Sequence, residues 1–369
     1  MSLEAEISKN AATISTNSYS MSVSEMATMY RDGELDLHPE FQRFYRWTAE
    51  QKSRFIESLI LGIPVPPIFV SERFDSKWDV IDGLQRLSTI LEVMGELLDS
   101  DNQPADMLTL TRTRYLPSLE GMKWRSEPET ELPESARIKV KRARLDVNIV
   151  KNTSDDVAKY EIFQRLNTGG SLATDQEVRS CILLMNNPEF FRRIDQLAKQ
   201  TNYRSTIPLS EQAFKEAFDL ELMTRFIVFS VSPLDDLRHI NELGAFLTDQ
   251  IVERSSSATF NINTIEDTFM HTFDFLNDTL GEDSFRRYDA TRERYQGALL
   301  VSLFEAVAVG IGRRLLPGGS LPDRAKFIDK HKSLWETMRP LTFVGSGVRA
   351  STRIPATIQF GEGWLQECE

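Results

Sequence analysis

The sequence predicts an α+β chain in three parts: a flexible arm over residues 1–20, an α/β domain over residues 21–152, and an all-α helical domain over residues 153–369. Three observations carry this reading. Residues Trp78 to Leu97 pass from a short apolar strand through Asp82-Gly83 into helically spaced Leu87, Ile90, Leu91, Met94 and Leu97. Thr48-Ala49-Glu50-Gln51 and Thr174-Asp175-Gln176-Glu177 are capping boxes, each placed just before an apolar helical pattern. From Ser154 onward the apolar spacing becomes helical and stays so.

Taken in order, the first twenty residues are polar and acidic, unlike a signal or transit peptide, and read as an arm. Val23 to Arg31 reads as a helix capped by Ser22 or Ser24 and ended by Gly33, with a short strand at Leu35 to Leu37. The segment Phe41-Gln42-Arg43-Phe44-Tyr45-Arg46-Trp47 interleaves aromatics with Gln and Arg, the composition of a buried lid or of a stacking loop. After the Thr48 box a helix runs through Leu61 to Gly62. Ile63-Pro64-Val65-Pro66-Pro67 forces an extended path into the strand Ile68 to Val70, and a turn near Asp75-Ser76 returns the chain to Ile81. Residues 99–137 read as a peripheral insertion or hairpin, with weak strand signals at Thr109 to Leu116 and Met122 to Trp124, and Ile138 to Val150 as a strand region. A helix capped near Ser154 to Asp156 ends at Asn167-Thr168-Gly169-Gly170. Further helices are expected near 187–199, 210–230, 235–252, 262–279, 291–310 and 322–336, followed by a loop over 345–354.

The chemistry concentrates at Asp82 to Arg86. A strand that turns directly into a helix leaves backbone N–H groups directed at the turn, a seat for an anion. Arg86 offers phosphate a planar fork, and Gln85 adds a neutral donor. Asp82 can cap the helix, hold a metal or orient a water. The plain alternative is a capped helix with a solvated arginine in its first turn.

Composition narrows the classes. The chain has 369 residues, 41% hydrophobic and 27% charged, and a net charge of −12. That acidity excludes a general nucleic-acid coat, and Lys139-Val140-Lys141-Arg142-Ala143-Arg144 is the best local basic run. Cys181 and Cys368 lie too far apart in sequence to suggest a disulfide framework or zinc site, and the four histidines are scattered. No apolar run approaches a membrane span, so a cytoplasmic protein is expected.

Three segments together resemble a known family: FQRFYRW at 41–47, IDGLQRLSTI at 81–90 and FQRLNTGGSLATDQEVRSCI at 163–182. Their order and spacing are similar to the N-terminal domain of GmrSD-type modification-dependent restriction enzymes, over roughly residues 20–185. The resemblance implies a ParB- and sulfiredoxin-like α/β fold that binds nucleotide at a strand-to-helix turn. It also implies nucleoside-triphosphate hydrolysis and a role in prokaryotic defence against modified or foreign DNA. By position, the family's Asp-Gly-Gln-Gln-Arg signature falls on Asp82, Gly83, Gln85 and Arg86, with Leu84 in place of its first Gln. Supporting positions are Gln42 and Arg43 upstream, and Arg165, Asn167, Gly169 and Gly170 downstream. The family's accompanying His-dependent nuclease module has no counterpart motif here.

The leading expectation is a nucleotide-binding component of a DNA-targeting, restriction-like system acting with a separate nuclease. NTP hydrolysis is an added property, because Leu84 removes one amide from the turn. Asp82, Gln85 and Arg86 would be catalytic. Gln42, Arg43, Gly83, Arg86, Arg165, Asn167, Gly169 and Gly170 would contact the nucleotide, and Asp82 would hold Mg²⁺. The alternatives are a non-enzymatic DNA- or modification-sensing module, and a ParB-like metal-dependent nuclease.

Overall fold

The computed structural model describes residues 2–4, 16–37, 47–99, 103–151, 174–341 and 347–369. The chain divides into two units, Met1–Ala173 and Thr174–Glu369. The first holds a mixed sheet with helices and the second is chiefly helical, as the α+β expectation requires.

In the first unit the elements are β1 (Thr16–Ser22), α1 (Val23–Arg31), β2 (Leu35–Asp36), α2 (Ala49–Leu61), β3 (Ile68–Glu72), β4 (Trp78–Asp82), α3 (Leu84–Met94), α4 (Glu134–Arg142) and β5 (Arg144–Val150). The sheet order is β1-β5-β3-β4-β2. β1–β5 and β3–β4 are antiparallel, while β3–β5 and β2–β4 are parallel. The helices start where local chemistry directs. Ser22 Oγ accepts from Glu25 N at 3.2 Å to cap α1. Both bonds of the Thr48–Gln51 box form, and Gly62 closes α2 at φ +71°. Such a cap contributes about 1 kcal/mol.

Four expectations for this unit are corrected. Thr16–Ser20, inside the expected arm, form most of β1. Its sequence TNSYSMS buries only Met21, so its strand state comes from pairing with the distant β5 rather than from an apolar pattern. Ile138 to Arg142 belong to a helix, not a strand. In a strand Ile138 and Val140 would share a face, yet Ile138 is 38% exposed and Val140 fully buried. Residues 103–132 are no peripheral insertion, since Leu108, Leu110, Leu119, Trp124 and Leu132 join the main apolar cluster with Ile56, Val70 and Ile90. Glu57, buried on α2, holds this irregular stretch: its Oε1 accepts from Thr113 Oγ1 at 2.5 Å and from the N–H groups of Tyr115 and Leu116, both at 2.9 Å. Finally, Asp82 does not cap α3. It ends β4, and Gly83 occupies the cap position without a side-chain hydrogen bond.

The second unit comprises α5 (Asp175–Asn186), α6 (Pro188–Ala198), α7 (Thr201–Thr206), α8 (Glu211–Lys215), α9 (Phe218–Val231), α10 (Leu234–Leu237), α11 (Leu243–Ser256), α12 (Ile262–Thr279), β6 (Arg287–Asp289), β7 (Arg294–Gln296), α13 (Val301–Leu315), α14 (Arg324–Met338) and α15 (Ala350–Gln366). Tyr203, Phe226, Phe269, Phe273 and Phe304 form its aromatic centre, with Phe269 and Phe273 ring centroids 4.4 Å apart. Glu305, fully buried on α13, receives Arg225 Nη1 at 2.9 Å and Arg353 Nη2 at 3.1 Å.

The expected helix at 291–310 begins only at Val301. Before it lies a hairpin whose turn is fixed by Asp289 Oδ1, which accepts from Thr291 N at 2.9 Å and Arg292 N at 3.2 Å. The expected helix at 210–230 is two, broken at Ala217, whose φ is +56°. The loop expected over 345–354 is instead the start of α15 from Ala350 onward. Gly361 lets that helix close on α13, since a Cβ there would lie 2.1 Å from the Ala306 carbonyl oxygen. Among the described residues no helix is long and apolar enough to cross a membrane.

Candidate functional site

The turn after β4 is built by one glycine. Gly83 sits at φ +99°, a conformation that other residues adopt only at a cost. A Cβ there would lie 2.3 Å from Ile68 Cδ1 and 3.2 Å from Arg86 Nη2. The missing side chain therefore serves two purposes: it allows the turn, and it lets the Arg86 guanidinium lie against bare backbone.

Arg86 is anchored through one nitrogen. Its Nη2 donates to the Pro67 carbonyl and to Asp82 Oδ2, both at 3.0 Å. The Pro67 contact gives the Ile63–Pro67 run a role that its composition does not announce: an extended chain presents a carbonyl to the arginine. The ion pair with Asp82 is only partly exposed, at 14% for the Arg86 side chain and 33% for that of Asp82. Arg86 Nε is buried and makes no hydrogen bond among the described residues. A buried donor without an acceptor costs about 1–3 kcal/mol. The guanidinium is thus held in orientation while part of its donor capacity is unused.

Gln85 reaches the other way. Its Oε1 accepts from Trp47 N at 3.3 Å, joining the turn to the last residue of the FQRFYRW segment. Trp47 is fixed by an edge-on contact with Phe55, centroids 5.5 Å apart. Leu84 packs against the apolar cluster, so the residue that departs from the family signature serves the core. Gly83 at the cap position of α3 offers no side chain to its first-turn N–H groups. Lys52 Nζ and Glu92 Oε2, 2.5 Å apart, tie α2 to α3.

Asp82, Gly83, Gln85 and Arg86 are therefore gathered at one turn, with Trp47 beside them. Gln42, Arg43, Arg165, Asn167, Gly169 and Gly170 lie outside the described residues. The described half of the third segment serves the helical unit. Thr174 and Glu177 complete their capping box. Arg179, fully buried, donates to Thr248 Oγ1 at 3.2 Å and to the Gly244 carbonyl at 3.1 Å. Among the described residues no group of three or more His, Cys, Asp or Glu side chains is placed to hold a metal.

Residues 23–184 match the family described as GmrSD restriction endonuclease, N-terminal domain. No curated protein and no solved structure matches the chain.

Proposed function

Starting from residues 23–184 as a GmrSD-type restriction-enzyme N-terminal domain, we propose that the Asp82–Arg86 turn binds the phosphates of a nucleoside triphosphate and, with Mg²⁺, hydrolyses it. The association with a restriction system follows from the family. The nucleotide assignment rests on a single observation, the posture of Arg86: fixed through Nη2, with a buried Nε that has no acceptor among the described residues. Phosphoryl transfer needs mainly positioned positive charge and little covalent chemistry, which an anchored arginine and uncapped helical N–H groups supply. Gln85 orients the phosphate or the attacking water.

Mg²⁺ fits this donor set in one way only. Among the described residues Asp82 is the carboxylate paired with Arg86 at the turn, so the ion would be held by that group, by phosphate oxygens and by water, which is Mg²⁺'s usual coordination in nucleotide sites. Its part would be to neutralise phosphate charge. Binding requires Asp82 to exchange some of its contact with Arg86 for the ion.

In this reading the chain serves a DNA-targeting defence system and acts with a separate nuclease. The test is NTP turnover with Mg²⁺, alongside calorimetric nucleotide binding, by wild type, Asp82→Ala and Arg86→Ala. Arg86→Ala should weaken binding tenfold or more, and Asp82→Ala should abolish turnover with a smaller loss of binding. Equal turnover in all three proteins would remove the catalytic assignment, and equal binding would remove the site.

A further inference from the structure

Lys139, Lys141 and Arg142 close α4, and Arg144 opens β5 one residue after the helix cap. Lys52, Arg73, Arg86, Arg137 and Lys151 of this unit each pair with a carboxylate, whereas Arg54, Lys77, Arg112, Arg114, Lys123 and Arg125 form no ion pair among the described residues. Lys139, Lys141, Arg142 and Arg144 form no ion pair among the described residues, and all but Lys139 line one groove of about 520 Å³. Its other walls are Ser22, Ser24 and Ile138, at the start of α1 and on α4. The two sides are joined by backbone: Ser22 is in register with Arg144, and Val23 N donates to the Ala143 carbonyl at 2.9 Å.

Cations in the last turn of a helix offset its dipole, at about 0.3–1 kcal/mol each. That accounts for Lys139, Lys141 and Arg142 but not for Arg144, which lies on a strand. Glu25 and Asp146, the carboxylates next to the groove in sequence, pair with none of the four among the described residues. What distinguishes Lys141, Arg142 and Arg144 is that three cations without a carboxylate partner among the described residues line one groove.

The sheet register places this groove. Phe69 is level with Asp82, and Ile68 with Val147; Arg144 lies three residues beyond Val147 in the same direction. At ~4.8 Å per strand and ~3.3 Å per residue, Arg144 and Asp82 are roughly 15–20 Å apart, at the same end of the sheet.

We propose that this groove seats the sugar–phosphate backbone of duplex DNA, with Lys141, Arg142 and Arg144 on successive phosphates and the Ser24 hydroxyl as an added donor. The proposal rests on the reading of the chain as part of a DNA-acting system. It adds the surface and puts DNA and nucleotide at one end of one sheet. Spaced, solvated, unpaired cations beside hydroxyls suit a phosphate line, because each contact neutralises one phosphate and releases its counterions.

Fluorescence anisotropy with a short labelled duplex, titrated between about 50 and 200 mM salt, tests it. The triple variant Lys141→Ala/Arg142→Ala/Arg144→Ala should flatten the log–log salt slope by about 2–3 and lose at least about tenfold in affinity at the low-salt end. The side chains are exposed and form no ion pair among the described residues, so the triple variant should fold, with melting slightly lowered by the lost helix-end charges, and Lys141→Glu alone should show a smaller loss of binding of the same kind. Unaltered binding by the triple variant would overturn the proposal. So would a wild type that binds anionic phospholipid vesicles or polyglutamate in preference to the duplex. A wild type that binds duplex through these residues but not ATP would remove the nucleotide reading and leave this one standing, whereas the converse removes this one alone.

Discussion

Replacing Gly83 with alanine tests the construction of the turn most directly. An L-residue held at φ +99° costs about 1–2 kcal/mol. The added Cβ also meets Ile68 Cδ1 at 2.3 Å, well inside the ~3.5–4 Å carbon–carbon optimum. Ile68 is fully buried and cannot swing aside freely, so overpacking adds about 1–3 kcal/mol. The expected loss is about 2–5 kcal/mol. Gly62→Ala provides the control, since Gly62 has φ +71° but nothing within 4 Å of its added Cβ, and only the backbone cost of about 1–2 kcal/mol applies. Ile68→Val removes the clashing Cδ1. Alone it should cost about 0.5–1.5 kcal/mol, but in the Gly83→Ala background it should restore about 1 kcal/mol or more. Urea denaturation followed by tryptophan fluorescence measures all four proteins. Strict additivity of the two substitutions, or a Gly83→Ala loss no larger than that of Gly62→Ala, would refute this account of the turn.

Two further predictions concern stability. Glu57→Ala should destabilise the first unit by about 1–3 kcal/mol, because it removes the acceptor of the Tyr115 N–H and leaves the Thr113 hydroxyl and the Leu116 N–H only their mutual contacts; Glu57→Gln, which keeps an acceptor, should recover more than half of that in the same denaturation. In the helical unit, burial pushes His331 down to about 4, while its hydrogen bond to the Ser284 carbonyl partly opposes the shift. The folded state then binds fewer protons than the unfolded chain between pH 6.5 and about 4, so stability is full above 6.5 and falls as pH drops through this window, by about 3 kcal/mol in all. Melting across pH, compared with His331→Gln, should show this component disappear in the variant; an unchanged pH profile would sink it.

What the sequence disclosed was local chemistry. The Thr48 and Thr174 boxes, Gly62 and the Asp82-Gly83 turn each fix a few neighbouring dihedrals through one short contact, and they appear where their residues predict. What it concealed depends on partners remote in the chain. β1 is polar and becomes a strand only against β5. The stretch from Leu108 to Leu132 has no period because loop carbonyls and side chains, Glu57 above all, satisfy its backbone in place of a ladder. The first residues of α15 read as a loop because 345–354 is rich in glycine, hydroxyls and arginine, whereas the helix is held from farther along, where Gly361 meets α13. At the candidate site, Asp82, Gln85 and Arg86 were legible from the strand–turn–helix pattern. Pro67 and Ile68 were not, since one acts through a carbonyl and the other through a buried methyl.

The β3–β4 turn lies at the end of the sheet away from Asp82, roughly 17 Å along the strands. Phe74 at its tip is 90% exposed. Burial raises the native thiols of Cys181 and Cys368, the latter to about 11, which leaves them poorly reactive toward maleimides near neutral pH. A cysteine introduced at position 74 would therefore be the preferred attachment point for a fluorophore or a surface tether. Immobilised there, the first unit would be held at the end of its sheet away from both proposed sites, so that both ligands could be watched on single molecules without the linker obstructing either.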